Sequence, residues 1–195
     1  MNNNIRLLDC TFRDGGYYNN WNFNKIIIQK YLNEVSNLQI EYVELGFRFL
    51  EDIKIKGENA YTTDSFINTF SIPNNINLGI MINASDLTPK KKPLNIIKKL
   101  ISTKNSKIKF IRFACHFNEV FFLREIINWL KSKKFKIFIN LMQISEITPN
   151  QIKQVSKFLK TTKTDVLYLA DSLGSLNPNK IKKLVKKFRK ESSLE

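Results

Sequence analysis

The stretch that decides the fold lies close to the first residue and reads Leu7-Leu8-Asp9-Cys10-Thr11-Phe12-Arg13-Asp14-Gly15-Gly16-Tyr17. An apolar run begins at Ile5, and we predict a buried strand over residues 5–11 that ends before the two glycines. Charged groups such as Arg13 and Asp14 are costly to bury without partners. Parallel α/β folds place their chemistry where such strands end. The motif therefore indicates either catalytic residues at the end of a strand or a purely structural salt bridge at that position.

Strand and helix patterns alternate along the whole chain. Strands are predicted over residues 5–11, 41–46, 76–83, 107–115, 135–142 and 165–170. Helices are predicted over residues 24–37, 64–70, 93–102, 119–132 and 178–189, with another opened by Thr148 and Pro149, and residues 48–62 read as a long loop. Strict alternation predicts a parallel sheet covered by helices. We expect a single domain over residues 1–195, either an open doubly wound sheet or part of a barrel.

Three motifs resemble the metal-dependent aldolases and lyases called DRE-TIM metallolyases. The first is the opening stretch, which continues as Tyr18-Asn19-Asn20-Trp21; the others are YVELGFR at residues 42–48 and LADSLGS at residues 169–175. That family includes 4-hydroxy-2-oxovalerate aldolase, hydroxymethylglutaryl-CoA lyase and isopropylmalate synthase. The motifs follow the family's order, and the first is most similar to the branch of 4-hydroxy-2-oxovalerate aldolase-like proteins.

The resemblance implies a (β/α)₈ TIM barrel, of which the chain covers about six β-α units. Such a barrel typically needs about 250 residues, and this sequence has 195. An arc of six strands leaves two strand edges unpaired, which favours association. We therefore expect a partial barrel that associates, either as a homo-oligomer or with a missing C-terminal part.

The resemblance also implies a function for the opening motif. By position, Asp14 binds a divalent metal, Mn²⁺ or Mg²⁺, and Arg13 stabilises an enolate formed from a 2-oxo acid. The family completes its metal site with a His-x-His pair on the seventh strand, whereas this sequence has one histidine, His116. We therefore expect weak metal binding. The implied function is a metal-dependent aldolase, and the alternative is a non-catalytic or truncated member that binds a ligand or forms part of an assembly.

Other candidates in the first half of the chain follow from the same motifs. Tyr17 stands where 4-hydroxy-2-oxovalerate aldolase has a histidine base, and it either handles a substrate proton or only packs over the barrel mouth. Glu44 pairs with Arg13 or Arg48, or lies near the metal. Arg48 is a candidate for binding a substrate carboxylate through two hydrogen bonds.

The second half offers four further candidates. Arg112 lies among apolar strand residues, so we expect it to point inward and to require an acid or a substrate. His116 follows that strand and either performs acid–base chemistry or is merely exposed. Asn140 ends the fifth strand and can line the same mouth. Asp171 holds an arginine, approaches the metal or caps the following turn.

Composition limits the remaining function classes. The net charge is +15, but the lysines recur mostly on predicted helices, which is typical of a solvated face rather than of a specific nucleic-acid site. No apolar stretch approaches the roughly 20 residues of a membrane span. Residues 1–4 show no signal peptide. Cys10 and Cys115 are expected to be free thiols of a cytoplasmic protein.

Overall fold

The computed structural model describes residues 5–51, 55–88 and 90–192. Within these ranges the strands are β1 (Leu8–Asp9), β2 (Tyr42–Phe47), β3 (Asn77–Asn83), β4 (Ile108–Cys115), β5 (Lys136–Leu141) and β6 (Val166–Leu169). The helices are α1 (Thr11–Asn19), α2 (Lys25–Asn37), α3 (Glu58–Tyr61), α4 (Asp64–Asn68), α5 (Ala84–Leu87), α6 (Pro93–Leu100), α7 (Phe117–Val120), α8 (Arg124–Ser132), α9 (Pro149–Thr162) and α10 (Pro178–Ser192). No helix of the described ranges is both long and apolar enough to cross a membrane.

The strands follow one another in the sheet in the order β1-β2-β3-β4-β5-β6. The pairs β1/β2, β2/β3 and β5/β6 are parallel. A doubly wound sheet reverses its strand order at a switch point. Sequential order with helical connections is instead the topology of a (β/α)₈ barrel.

The chain forms two compact units. The first comprises Met1–Ile82 with Lys99–Ile111, and the second comprises Asn83–Lys98 with Arg112–Glu195. In the first unit, α2, β2 and β3 all contribute fully buried aliphatic side chains: Ile28, Leu32, Val43, Leu45, Leu78 and Ile80. In the second unit, β5, α8, α9 and the turn before α8 contribute buried aliphatic side chains that include Leu123, Ile127, Leu130, Ile137, Ile139, Val155 and Leu159. Each unit thus buries apolar side chains from both its strands and its helices.

Local capping explains where two predicted helices begin. The Asn24 side chain accepts a hydrogen bond from the N–H of Ile26 at 2.8 Å, so α2 begins one residue later. Thr148 and Gln151 form a reciprocal capping box around Pro149, the first residue of α9. These side chains satisfy backbone donors that the first turn of a helix otherwise leaves unpaired.

The first strand differs from the prediction. It comprises only Leu8–Asp9, and α1 begins at Thr11. The Asp9 carboxylate accepts a hydrogen bond from the N–H of Thr11 at 2.9 Å, and the N–H of Asp14 donates to the carbonyl of Cys10 at 2.9 Å. The motif therefore turns into a helix at once, and its charged residues lie on the first turn of α1.

The long loop predicted over residues 48–62 contains the helix α3. Its charged tip at 52–54 lies outside the described residues. So do residues 1–4, on which the signal-peptide prediction rests, and the tail at 193–195.

Candidate functional site

The first turn of α1 builds a small network of charged groups in the first unit. Arg13 donates from Nε to Glu44 Oε1 at 2.7 Å and from Nη1 to Asp14 Oδ1. Cys10 Sγ donates to the other Asp14 oxygen at 3.1 Å. The Glu44 side chain is fully buried on β2, the Arg13 side chain is 13% exposed and the Asp14 side chain is 56% exposed. The sequence predicts that Glu44 pairs with Arg13 or with Arg48, and in the structure it accepts a hydrogen bond from Arg13.

Electrostatics fix the protonation states in this network. Burial alone lowers the pKa of Arg13, but the nearby Glu44 carboxylate, with Asp14 behind it, more than offsets burial and raises that pKa above its ordinary value. Burial, followed by the hydrogen bond to Asp14, raises the pKa of the Cys10 thiol to about 11. Arg13 is therefore a permanent cation, and Cys10 is a neutral donor at physiological pH.

The guanidinium of Arg13 keeps donor capacity for a ligand. Nε and Nη1 bond to the two carboxylates, whereas Nη2 makes no hydrogen bond to any residue in the described ranges. A guanidinium carries five N–H donors in a planar fork. The buried partner Glu44 orients this fork, so the remaining donors are pre-organised for an anion.

Trp21 holds α1 in place. Its indole Nε1 donates to the backbone carbonyl of Arg13 at 2.9 Å. The same ring packs so closely on Gly16 that a Cβ at that position would lie 2.0 Å from the indole. The second glycine of the motif thus permits close approach of an aromatic ring, and Trp21 positions the helix turn that carries Arg13.

Tyr17 lies at the surface beside this anchor. Its side chain is 65% exposed, and its ring makes edge contacts with Trp21 at 4.9 Å and with Phe47 at 6.2 Å between ring centroids. The phenol is open to solvent and one helical turn from Arg13. Both roles that the sequence left open, proton handling and packing, remain consistent with this position.

Arg48 is not part of the Arg13 network. Its buried guanidinium donates to Asp64 Oδ2 at 3.3 Å, to the carbonyl of Thr62 at 2.5 Å and to the carbonyl of Leu100. Burial lowers the pKa of Arg48, and Asp64 opposes that effect. Arg48 also lines a cavity of about 370 Å³ with Tyr61 and Leu100. Because protein acceptors already hold this guanidinium, its binding of a substrate carboxylate stays a prediction.

In the second unit, Arg112 and Asn140 are brought together. Arg112 donates from Nη2 to Asn140 Oδ1 at 2.6 Å, and its guanidinium lies 4.3 Å from the centroid of the Tyr168 ring. Both polar side chains are buried. Arg112 therefore contacts the side-chain amide of Asn140 and the aromatic face of Tyr168.

His116 and Asp171 also belong to the second unit, and both make local contacts. His116 is the N-cap of α7, and its Nδ1 lies 3.3 Å from Glu119 Oε2. The Asp171 carboxylate accepts hydrogen bonds from the N–H groups of Ser175 at 3.2 Å and Leu176 at 2.8 Å. Asp171 thus caps the turn that follows β6, one of the alternatives that its sequence position offered.

The described residues do not form a complete metal site. Across residues 5–51, 55–88 and 90–192, no group of three His, Cys, Asp or Glu side chains is arranged to hold an ion. Asp14 supplies one exposed carboxylate, and Arg13 occupies one of its oxygens. A single carboxylate shared with a guanidinium is a poor fit to the several oxygen ligands that Mg²⁺ and Mn²⁺ require. Metal binding at Asp14 therefore stays a prediction.

Comparison with known proteins gives structural relatives only. No protein-family model and no curated protein matches the chain. The chain is similar to the crystal structure of the "N-terminal domain of a putative aldolase" from Bacteroides vulgatus, with 27% identity and a TM-score of 0.78 over 97% of this chain and 62% of that one. It is also similar to HMG-CoA lyase from Brucella melitensis, with 11% identity and a TM-score of 0.71 over 96% and 68% of the two chains. Hydroxymethylglutaryl-CoA lyase from Pseudomonas aeruginosa gives 12% identity and a TM-score of 0.69 over 96% and 64%.

These neighbours define the class of fold. The six parallel strands with alternating helices match part of a (β/α)₈ TIM barrel, so the predicted fold class is confirmed. The Bacteroides vulgatus neighbour is a domain of a "putative aldolase", which supports the metallolyase resemblance, and the two lyases support the fold. The chain spans 62% of the length of the Bacteroides vulgatus structure.

Proposed function

We propose that this chain carries the enolate-stabilising site of an aldolase-type lyase. The substrate is a 2-oxo acid, and the closest activity is that of 4-hydroxy-2-oxovalerate aldolase. One observation carries the proposal. Arg13, at the motif position that this family uses for the enolate, is held by buried Glu44 and keeps Nη2 without a protein acceptor among the described residues.

The proposed reaction follows from that donor. A base removes the proton of the substrate's 4-hydroxyl group, the bond between carbons 3 and 4 breaks, and the aldehyde leaves. The electron pair of that bond enters the enolate of pyruvate, and protonation at carbon 3 gives pyruvate. Arg13 donates to the enolate oxygen as negative charge develops there. Loss of one such donor typically costs about 10²–10³ in rate.

Tyr17 is the group of the first unit that we assign to the substrate hydroxyl. Its phenol is exposed and on the same helix as Arg13, so it can orient that hydroxyl by a hydrogen bond. We therefore assign Tyr17 an orienting role.

A divalent cation, where present, would polarise the substrate carbonyl. Asp14 is the residue of the first unit that would contribute to holding it. Because the described residues do not complete such a site, no step of the proposed reaction is assigned to the cation.

The proposal is tested by pyruvate release from 4-hydroxy-2-oxovalerate, with and without Mn²⁺. We expect Arg13→Gln to lower the rate about 10²–10³-fold, and Asp14→Asn to remove any stimulation by Mn²⁺. Arg6→Gln is the matched control, because Arg6 forms an exposed pair with Glu41 away from the site. Wild-type-like rates in Arg13→Gln would sink the proposal.

The second candidate is a non-catalytic member of the same fold. The observation that favours it is the single carboxylate, Asp14, where the family binds metal. On this alternative the wild-type chain binds 2-oxo acids in calorimetry but releases no pyruvate.

A further inference from the structure

Lys56 is a second cation beside the proposed site in the first unit. Its Nζ lies 4.1 Å from the centroid of the Phe49 ring and 5.1 Å from that of Trp21. The residue as a whole is half-buried. Placement over aromatic faces stabilises a cation while leaving its N–H donors available.

The backbone that carries Lys56 is fixed. The N–H of Gly57 donates to the carbonyl of Asn20 at 2.8 Å. A Cβ at Gly57 would lie 2.3 Å from the carbonyl oxygen of Trp21, so the two segments touch closely enough to require glycine. Lys56 is therefore tied to the same Trp21 loop that positions Arg13.

Aromatic rings connect Lys56 with Arg13. We call Trp21, Phe47 and Phe49 the aromatic platform. The rings of Phe47 and Phe49 stack with centroids 4.6 Å apart and planes 9° apart. The Arg13 guanidinium lies 5.7 Å from the Phe47 centroid, and Lys56 lies over Phe49. The platform thus presents one cation on each of its two stacked rings.

The two cations differ in their partners. Arg13 is bound by Glu44 and Asp14, whereas no carboxylate of the described residues forms an ion pair with Lys56. Lys25 provides the contrast within the same unit. It lies 5.4 Å from the Phe66 centroid and pairs with Glu58 at 2.9 Å. A half-buried cation that contacts aromatic rings and no carboxylate of the described residues is suited to an anionic ligand.

We propose that Lys56 is a specificity residue that binds an anionic group at the far end of the 2-oxo acid. This inference rests on the proposed function, since Arg13 must hold the 2-oxo end. The substrate class is then a 2-oxo acid with a second acidic group, either a carboxylate or a phosphate. The aromatic platform packs against the carbon chain between the two ends.

Calorimetric binding to the full chain tests the proposal without turnover. The probes are 2-oxo dicarboxylates of increasing length, each paired with the 2-oxo monocarboxylate of equal length, and a 2-oxo acid phosphorylated at its far end. We expect at least one dicarboxylate or the phosphate to bind about tenfold more tightly than its neutral-tailed counterpart, as for one charge-assisted hydrogen bond. The better of the carboxylate and phosphate arms identifies the end group.

Three variants distinguish recognition from packing. Lys56→Met should abolish the preference and leave neutral-tailed binding unchanged, Lys56→Arg should retain the preference, and Lys25→Met should behave like wild type. If the wild-type chain binds the acidic-tailed and neutral-tailed ligand of each pair equally, and this binding depends on Arg13, the role of Lys56 is overturned. The proposed function is not affected by that result. Absence of binding to any 2-oxo acid overturns the proposed function with it. A preference that survives in Lys56→Met contradicts the assignment.

Discussion

Replacing Arg13 by methionine tests how strongly the buried ion pair holds the site. Glu44 is fully buried, and its Oε1 lies 2.7 Å from Arg13 Nε. Methionine keeps the apolar part of the side chain but removes the guanidinium that donates to Glu44 Oε1. Removing one partner of a buried pair costs about 3–5 kcal/mol. We therefore expect the free energy of unfolding to fall by about that amount, a large share of the roughly 5–15 kcal/mol of a typical domain.

The matched control is the exposed pair of the same unit. Arg6 Nε lies 3.7 Å from Glu41, and the two side chains are 54% and 38% exposed. Exposed pairs contribute about 0–1 kcal/mol, so Arg6→Met should have little effect. Urea denaturation followed by circular dichroism measures both variants under the same conditions.

A double-variant cycle separates the pair from other losses at Arg13. Glu44→Gln removes the carboxylate charge at the other end of the pair. The two substitutions should therefore be coupled by about 0.5–3 kcal/mol, the usual range for contacting residues. Equal effects of Arg13→Met and Arg6→Met, with no coupling to Glu44, would refute the reasoning.

Three further predictions concern the same unit and the surface charge. Gly16→Ala should destabilise the chain by about 1–3 kcal/mol in urea melts because its Cβ would overlap Trp21, whereas Gly15→Ala, which meets only an aromatic ring at 3.5 Å, should be neutral or slightly stabilising. Iodoacetamide should label Cys10 before buried Cys115, with a pH midpoint near 11 rather than 9.0. Because the folded pKa is raised, the protonated thiol stabilises the fold below pH 9.0, and that contribution is lost as pH rises toward 11. Binding to duplex DNA should be weak, sequence-independent and lost with salt, and nanomolar selective binding in a fluorescence titration would contradict this.

Alternation predicts a parallel sheet covered by helices, and the resemblance of three motifs to the metallolyases selects the barrel rather than a doubly wound sheet. Most strand boundaries agree to within one or two residues because their apolar runs end at polar or turn residues, as for β5 at Lys136–Leu141. The predicted extent of the first strand is wrong, because the prediction treats the Gly15-Gly16 pair as the signal that ends the strand. Both glycines lie inside α1, where Gly16 receives the Trp21 ring. That contact joins residues on either side of a turn and leaves no periodic signal.

The candidate site was predictable only in part. The pairing of Arg13 with Glu44 was among the predicted alternatives, because both residues belong to recognisable motifs. The roles of Trp21 and Lys56 were missed. They depend on ring positions and on the close packing of Gly57 against the Trp21 loop, which spacing along the chain does not encode.

The most direct test of an enolate-stabilising Arg13 is the exchange of the methyl protons of pyruvate for deuterium, followed by proton NMR. The exchange requires enolate formation but no aldehyde, no bond cleavage and no coupled enzyme. We predict that the full chain, assayed with and without Mn²⁺, exchanges these protons faster than buffer, that Arg13→Gln loses this activity and that Arg6→Gln keeps it. Exchange at the buffer rate in the wild-type chain, or equal exchange in Arg13→Gln, would contradict the proposed function.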